Sequence, residues 1–204
     1  AFGAYDLVVS EYSPCEQDCP PEGIEEGEPP CGDEYEDAFN SGCNYTGTGE
    51  FPFSSMACGD TICGQGGTYT FTPDGEDPVI QRDTDWYEVE LTGDPGQCFD
   101  LTMSGIAEFP LQFLIIYAGD GSCDDGTYTI ISSGQGDPCT NLEVTRLGAP
   151  QETYWFWVGP AVFEAFWQCP ADYVWTLDCI DGECLGDIEC PPDSIPEGEP
   201  ECHP

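Results

Sequence analysis

RDTDWYEVEL, residues 82–91, alternates polar and apolar side chains with a period of two, and that alternation decides the fold class. Successive side chains of a pleated strand point to opposite faces. Tyr87, Val89 and Leu91 therefore share a core face, while Trp86, Glu88 and Glu90 point the other way. Outward from this stretch, Phe99, Leu101 and Met103 repeat the pattern within a strand expected over 98–104. Further strands are expected over 67–72, 111–117, 128–132, 142–146, 153–158 and 172–178, separated by Gly, Pro, Asp and Asn clusters. Helical periodicity is sustained nowhere, because 25 Gly and 19 Pro interrupt every long window. The expectation is an all-β chain: an antiparallel β-sandwich or jelly roll.

Fourteen cysteines in 204 residues imply an oxidising compartment and multiple disulfides stapling the fold. Zinc-thiolate chemistry lacks partners, since the sole histidine is His203 and the cysteines form no paired knuckles. Short loops suggest two local bridges, Cys58 with Cys63 and Cys123 with Cys139. No signal peptide precedes Ala1, which reads as a processed end, and the apolar runs are too short to insert into a membrane.

Forty-one acidic residues face two arginines, Arg82 and Arg146, for a formal net charge of -39. Nucleic acid and anionic lipid are held through Lys and Arg, so both are excluded as partners. Such a surface attracts cations instead, and calcium, which takes hard oxygen ligands, is the expected cofactor. The candidate ligands are Asp83 and Asp85 in DTD, Asp120, Asp124 and Asp125 in GDGSCDDG, and Asp33 and Glu34 in GDEYEDAFN. That last stretch also holds Glu36, Asp37 and Asn40. None forms an EF-hand loop, and GDGSCDDG equally fits a hairpin whose Asp and Gly supply turn geometry.

The chain divides into an N-terminal strand or arm (1–14), a Cys/Pro/Glu-rich segment (15–43), a sandwich (44–180) and a Cys/Pro/Glu-rich tail (181–204). The two rich segments echo each other. CPPEGIEEGEPPC from Cys19 returns 171 residues later as CPPDSIPEGEPEC from Cys190, with nine of thirteen positions identical. An interval of that length is a whole domain, which suggests one unit of a tandem array, a subunit whose tail takes the place of its own head segment on a neighbour, or a matched pair of linkers flanking one domain.

The order NSGCN, ACGDTICG, RDTDWY, TYWFWVGP and YVWTLDC resembles the bacterial pre-peptidase C-terminal domain, in the form of cysteine-rich repeats of large exported proteins. The resemblance spans roughly Cys19 to Cys179 and implies a β-sandwich with an accessory role in secretion, surface attachment or adhesion. It also implies calcium at Asp83 and Asp85, as in some related collagen-binding members. This chain departs from the family's usual setting in lacking a protease domain and in its acidity and cysteine content.

No catalytic machinery is legible, because a hydrolytic triad needs a held base and His203 sits in a terminal dipeptide. The expected function is that of an extracellular, non-enzymatic structural subunit assembling with copies of itself into a fibre or surface layer. Phe2, Tyr5, Leu7 and Val9 of the arm, with Trp155 and Trp157, are the candidate assembly residues. The alternative is a secreted carbohydrate- or matrix-binding module, with sugars stacked on the aromatic block that includes Tyr154, Phe156, Phe163, Phe166 and Trp167.

Overall fold

A computed structural model describes residues 15, 17–123 and 127–185. Its strands are, in chain order, β1 (Ile24–Glu25), β2 (Ser54–Ser55), β3 (Thr61–Gly66), β4 (Thr68–Phe71), β5 (Val79–Arg82) and β6 (Asp85–Glu90). They continue with β7 (Cys98–Ala107), β8 (Leu111–Tyr117), β9 (Thr129–Gly136), β10 (Leu142–Pro150), β11 (Thr153–Pro160) and β12 (Ala171–Gly182). Two five-stranded sheets, β1-β3-β12-β7-β10 and β2-β6-β11-β8-β9, pack as a sandwich, and β4-β5 forms a separate hairpin. The long pairings are antiparallel. The two-residue strands β1 and β2 pair in parallel, which makes both sheets mixed.

Alternation explains the core. Tyr87, Val89 and Leu91 are buried between the sheets, where they meet Leu101 and Met103 of β7, Phe113 and Ile115 of β8, and Trp175 and Leu177 of β12. Trp175 sits at the centre, its ring 5.2 Å from Tyr87 and 5.9 Å from Phe113. Each such side chain contributes about 1.5–3 kcal/mol by leaving water. Trp86, on the opposite face of β6, is also buried, in a second cluster with Ile116, Trp155 and Trp157. The segment before β2 covers this outer face: Phe53 stacks on Trp155 at 4.7 Å, and Cys43 and Cys123 pack alongside.

That cover corrects the assembly role expected for Trp155 and Trp157. They are 0 % and 3 % exposed, buried by their own chain, and Trp155 donates its indole N–H to Glu88. Of the same aromatic block, Phe163 and Phe166 are exposed. Phe2, Tyr5, Leu7 and Val9 lie outside the described residues.

Among the described residues six disulfides staple the fold: Cys15–Cys139, Cys19–Cys63, Cys31–Cys169, Cys43–Cys123, Cys58–Cys179 and Cys98–Cys184. The expected local pairs Cys58–Cys63 and Cys123–Cys139 are therefore both wrong. Short-loop closure favours them in a free chain, but the sheet order sets the partners here. Cys63 lies in β3 against the head segment, residues 19–31, and Cys58 is bonded to Cys179 near the end of β12. This density of disulfides points to an oxidising, extracellular environment. No helix among the described residues is long and apolar enough to cross a membrane.

Candidate metal centre

The inward row of β6 continues past Tyr87 toward the start of the strand, and its next members are Asp85 and Asp83. They are 0 % and 1 % exposed. The alternation that buries Val89 and Leu91 thus also carries two carboxylates inside, at the junction of β5 and β6. Arg82, one residue away, faces elsewhere. It donates to the carbonyl of Pro160 at 2.9 Å, and its guanidinium lies over the Phe163 ring at 4.1 Å, so it neutralises neither aspartate.

The head segment brings two more carboxylates, Glu26 and Glu28, in the same every-second-residue spacing. Cys19–Cys63 and Cys31–Cys169 bolt this segment to the sandwich on either side of the pair. Its seat explains a glycine in the neighbouring strand: a Cβ at Gly64 would collide with the Glu26 carboxylate and the Tyr173 ring. Asp37 joins from the chain beyond Cys31. Glu26, Glu28 and Asp85 each place a carboxylate oxygen within 4.8 Å of the others, and so do Glu28, Asp37 and Asp83, which makes Glu28 the shared member. The Cys31 and Cys169 sulfurs lie beside Asp83 but are bonded to each other and offer no thiolate.

Partners are unequally distributed. Glu26 accepts from the Gln65 N–H at 2.7 Å, from the Tyr173 hydroxyl at 2.6 Å and from Tyr87 at 3.2 Å. Glu28 accepts from Tyr35, and one Asp37 oxygen accepts from the Thr84 hydroxyl and N–H. Glu28 Oε2, Asp37 Oδ1 and all four oxygens of Asp83 and Asp85 meet no donor. Asn40, fully buried where its carbonyl accepts from the Trp86 N–H, leaves both side-chain amide atoms unpartnered as well.

Buried oxygens without donors cost about 1–3 kcal/mol each, and more when charged. Protonation is the protein's own response. Burial pushes Glu26 and Asp37 up to about 7, each partly opposed by its hydrogen bonds. Glu28 is raised by burial too. Burial, reinforced by the surrounding carboxylates, holds Asp83 and Asp85 well above the usual carboxylate range. A cation of the hard-oxygen class would satisfy the same groups without protons, and these clusters could hold a metal ion.

Of the residues expected to bind metal, Asp83 and Asp85 stand in this cluster. Asp33 and Glu34 do not: both are exposed, and Glu34 accepts instead from the Thr72 N–H and hydroxyl. Asp120 is exposed and accepts from the Ser122 N–H at 3.0 Å, which is the turn geometry open to GDGSCDDG. Asp124 and Asp125 lie outside the described residues. Glu26 and Glu28 were not singled out from sequence, although their E-x-E spacing matches D-x-D and recurs at Glu197 and Glu199 in the tail. No protein-family model matches the chain, and no curated protein is detectably similar to it.

Proposed function

We propose that the chain is a non-enzymatic, extracellular structural subunit whose sandwich is locked at one end by calcium. The observation that carries this reading is the convergence of Glu26, Glu28, Asp37, Asp83 and Asp85, with six carboxylate oxygens lacking any donor, under a head segment bolted down by two disulfides. The oxygen-only donor set suits calcium, which accepts many carboxylate ligands in irregular geometry. The ligands come from the head segment, from the chain beyond Cys31 and from the start of β6, so the ion ties the head segment to the sandwich. Disulfides and ion act together to make a durable body. Recurrence of both cysteines and the E-x-E pair at Cys190, Cys202, Glu197 and Glu199 supports a unit that repeats, as does the resemblance to repeats of exported proteins.

Asp83 and Asp85 are sealed from solvent and so do not support hydrolysis, for which a catalytic acid pair needs a substrate cleft. Chelation tests the reading. At a calcium level far above its dissociation constant the ion should contribute roughly 4 kcal/mol, so its removal should lower the melting temperature by about 10 °C. An unchanged melt at low ionic strength would remove calcium from the account.

One observation favours the second reading, a carbohydrate- or matrix-binding module. A cleft of about 670 Å³ beside the cluster is lined by Tyr35, Tyr45, Phe71, Gln81, Arg82 and Phe163, a mixture of flat rings and polar groups suited to sugars. Saturable binding of a glycan by the monomer, lost on Phe163→Ala, would establish it.

A further inference from the structure

A sandwich of two open sheets has four outer edges, and three of these are guarded. Beside β1, the head segment covers β3 by a Glu26 N–H to Cys63 carbonyl bond. Beside β2, the Met56 N–H donates to Glu88 and the Trp86 N–H to Asn40, which closes the edge of β6. The third edge, β10, carries Glu143 and Arg146, breaks register between Arg146 and Ala149, and ends on Pro150. Charges, irregular register, proline and very short edge strands are the usual means by which a sheet avoids pairing with another chain.

The fourth edge, β9, has almost none of these. Its sequence, TIISSGQG, contains no charged residue and no proline, in a chain of 204 residues with 41 acidic ones. The register shift against β8 lies near its start, and from Ser132 to Gly136 the strand pairs without a break with Ile115 to Leu111. Among the described residues its main chain pairs with β8 and with no other strand. Ser133 and Gln135 are exposed, and so is Ile130, at 52 %. On the inner side Gly134 and Gly136 lie too close to Val144 and Leu142 to carry a Cβ without displacing them, and the Ser132 hydroxyl donates to the Thr145 carbonyl at 2.9 Å. The strand is thus held in place while, among the described residues, no strand pairs with its outer edge.

The chain holds a segment of matching character. Residues 1–10, AFGAYDLVVS, read as a strand with a single charge, Asp6. They precede Cys15, which is bonded to Cys139, three residues beyond the end of β9. Cys15, to which the arm is joined, therefore sits at the end of the sandwich that β9 runs toward. Without a reversal the arm could meet its own β9 only in parallel, whereas the arm of another copy can add antiparallel, the more stable pairing per residue.

We propose that residues 1–10 of one copy add as a strand to the open edge of β9 in another, which rests on the structural-subunit reading and supplies its joint. Strand addition gives main-chain hydrogen bonds along the edge, with alternate arm side chains packing on either face. Repeated from copy to copy, the contact is heterologous and propagates into a filament.

The test compares the full chain, a deletion of residues 1–10 and the double variant Ser133→Lys, Gln135→Lys by light scattering across a concentration series and by negative-stain microscopy. The full chain should assemble as concentration rises. Both altered forms should remain monomers with the melting temperature of the full chain, and a synthetic peptide of residues 1–12 should stop growth of the full chain. Assemblies that persist in both altered forms would overturn this joint and leave the structural-subunit reading standing. A full chain that stays monomeric at every concentration would overturn both, whatever its calcium binding.

Discussion

The two halves of the inward row on β6 obey one geometric rule and satisfy it by opposite chemistry. Tyr87, Val89 and Leu91 fill the space between the sheets with apolar surface, and only the Tyr87 hydroxyl reaches across to the cluster, at Glu26. Asp85 and Asp83 occupy the next inward positions with groups that burial penalises. Backbone alternation decides which side chains go inside, but it does not decide what makes their burial favourable. The apolar half draws its stability mainly from leaving water, whereas the acidic half needs a proton or a cation.

The comparison breaks most forcefully at the apolar half. Leu91→Ala, at a buried position of that half, should cost about 2–5 kcal/mol, and the same amount with calcium or with chelator. A cost that depended strongly on calcium would mean that the halves are not separable. Denaturant melts under the two conditions measure this.

Asp85→Asn should act on the acidic half with a sign that depends on the metal. In chelator it removes a buried group that resists ionisation and should stabilise, or leave unchanged, by roughly 1–3 kcal/mol. In calcium it removes a ligand and should abolish most of the ion's stabilisation. The same loss of stability in both conditions would show that Asp85 serves packing alone.

A smaller effect sharpens the comparison through pH. Glu26 and Asp37 are raised from 4.5 and 3.8 to about 7, so the metal-free folded state holds protons that the unfolded chain has released. Stability from these groups is therefore fully present below their unfolded values and is lost as pH rises through about 7. Metal-free protein should melt progressively lower across that window, and calcium, by replacing the protons, should flatten the slope. Repulsion within a chain of net charge -39 acts in the same direction, so the slope should also be shallower in Asp85→Asn if the cluster is responsible. A metal-free melt that rises with pH would contradict the raised values.

What could be read from sequence follows the range of the interaction. Strand 111–117 coincides with β8, and the placing of Tyr87, Val89 and Leu91 inward holds, because both depend on alternation within a few residues. Strand β3 was not foreseen: TICGQG has no alternating apolar face, and its glycines answer to distant neighbours, Gly64 to Tyr173 and Gly66 to Phe109. Likewise Asp83 and Asp85 stood out as a pair beside a legible strand. Glu26 and Glu28 sit in a segment too poor in apolar residues to suggest burial, and only the long-range bridges Cys19–Cys63 and Cys31–Cys169 carry them to the same place. The disulfide pairing failed for the related reason that its partners are separated by 44 to 138 residues. Charge density pointed to a cation but not to its position, since 41 carboxylates offer many candidate sets.

Calorimetric titration of calcium into metal-free protein at neutral pH and low salt tests the central claim most directly. Saturable binding to the full chain, accompanied by proton release, is expected, and none to the double variant Asp83→Asn, Asp85→Asn. Identical heats from the two proteins, or no saturable binding to either, would contradict the claim.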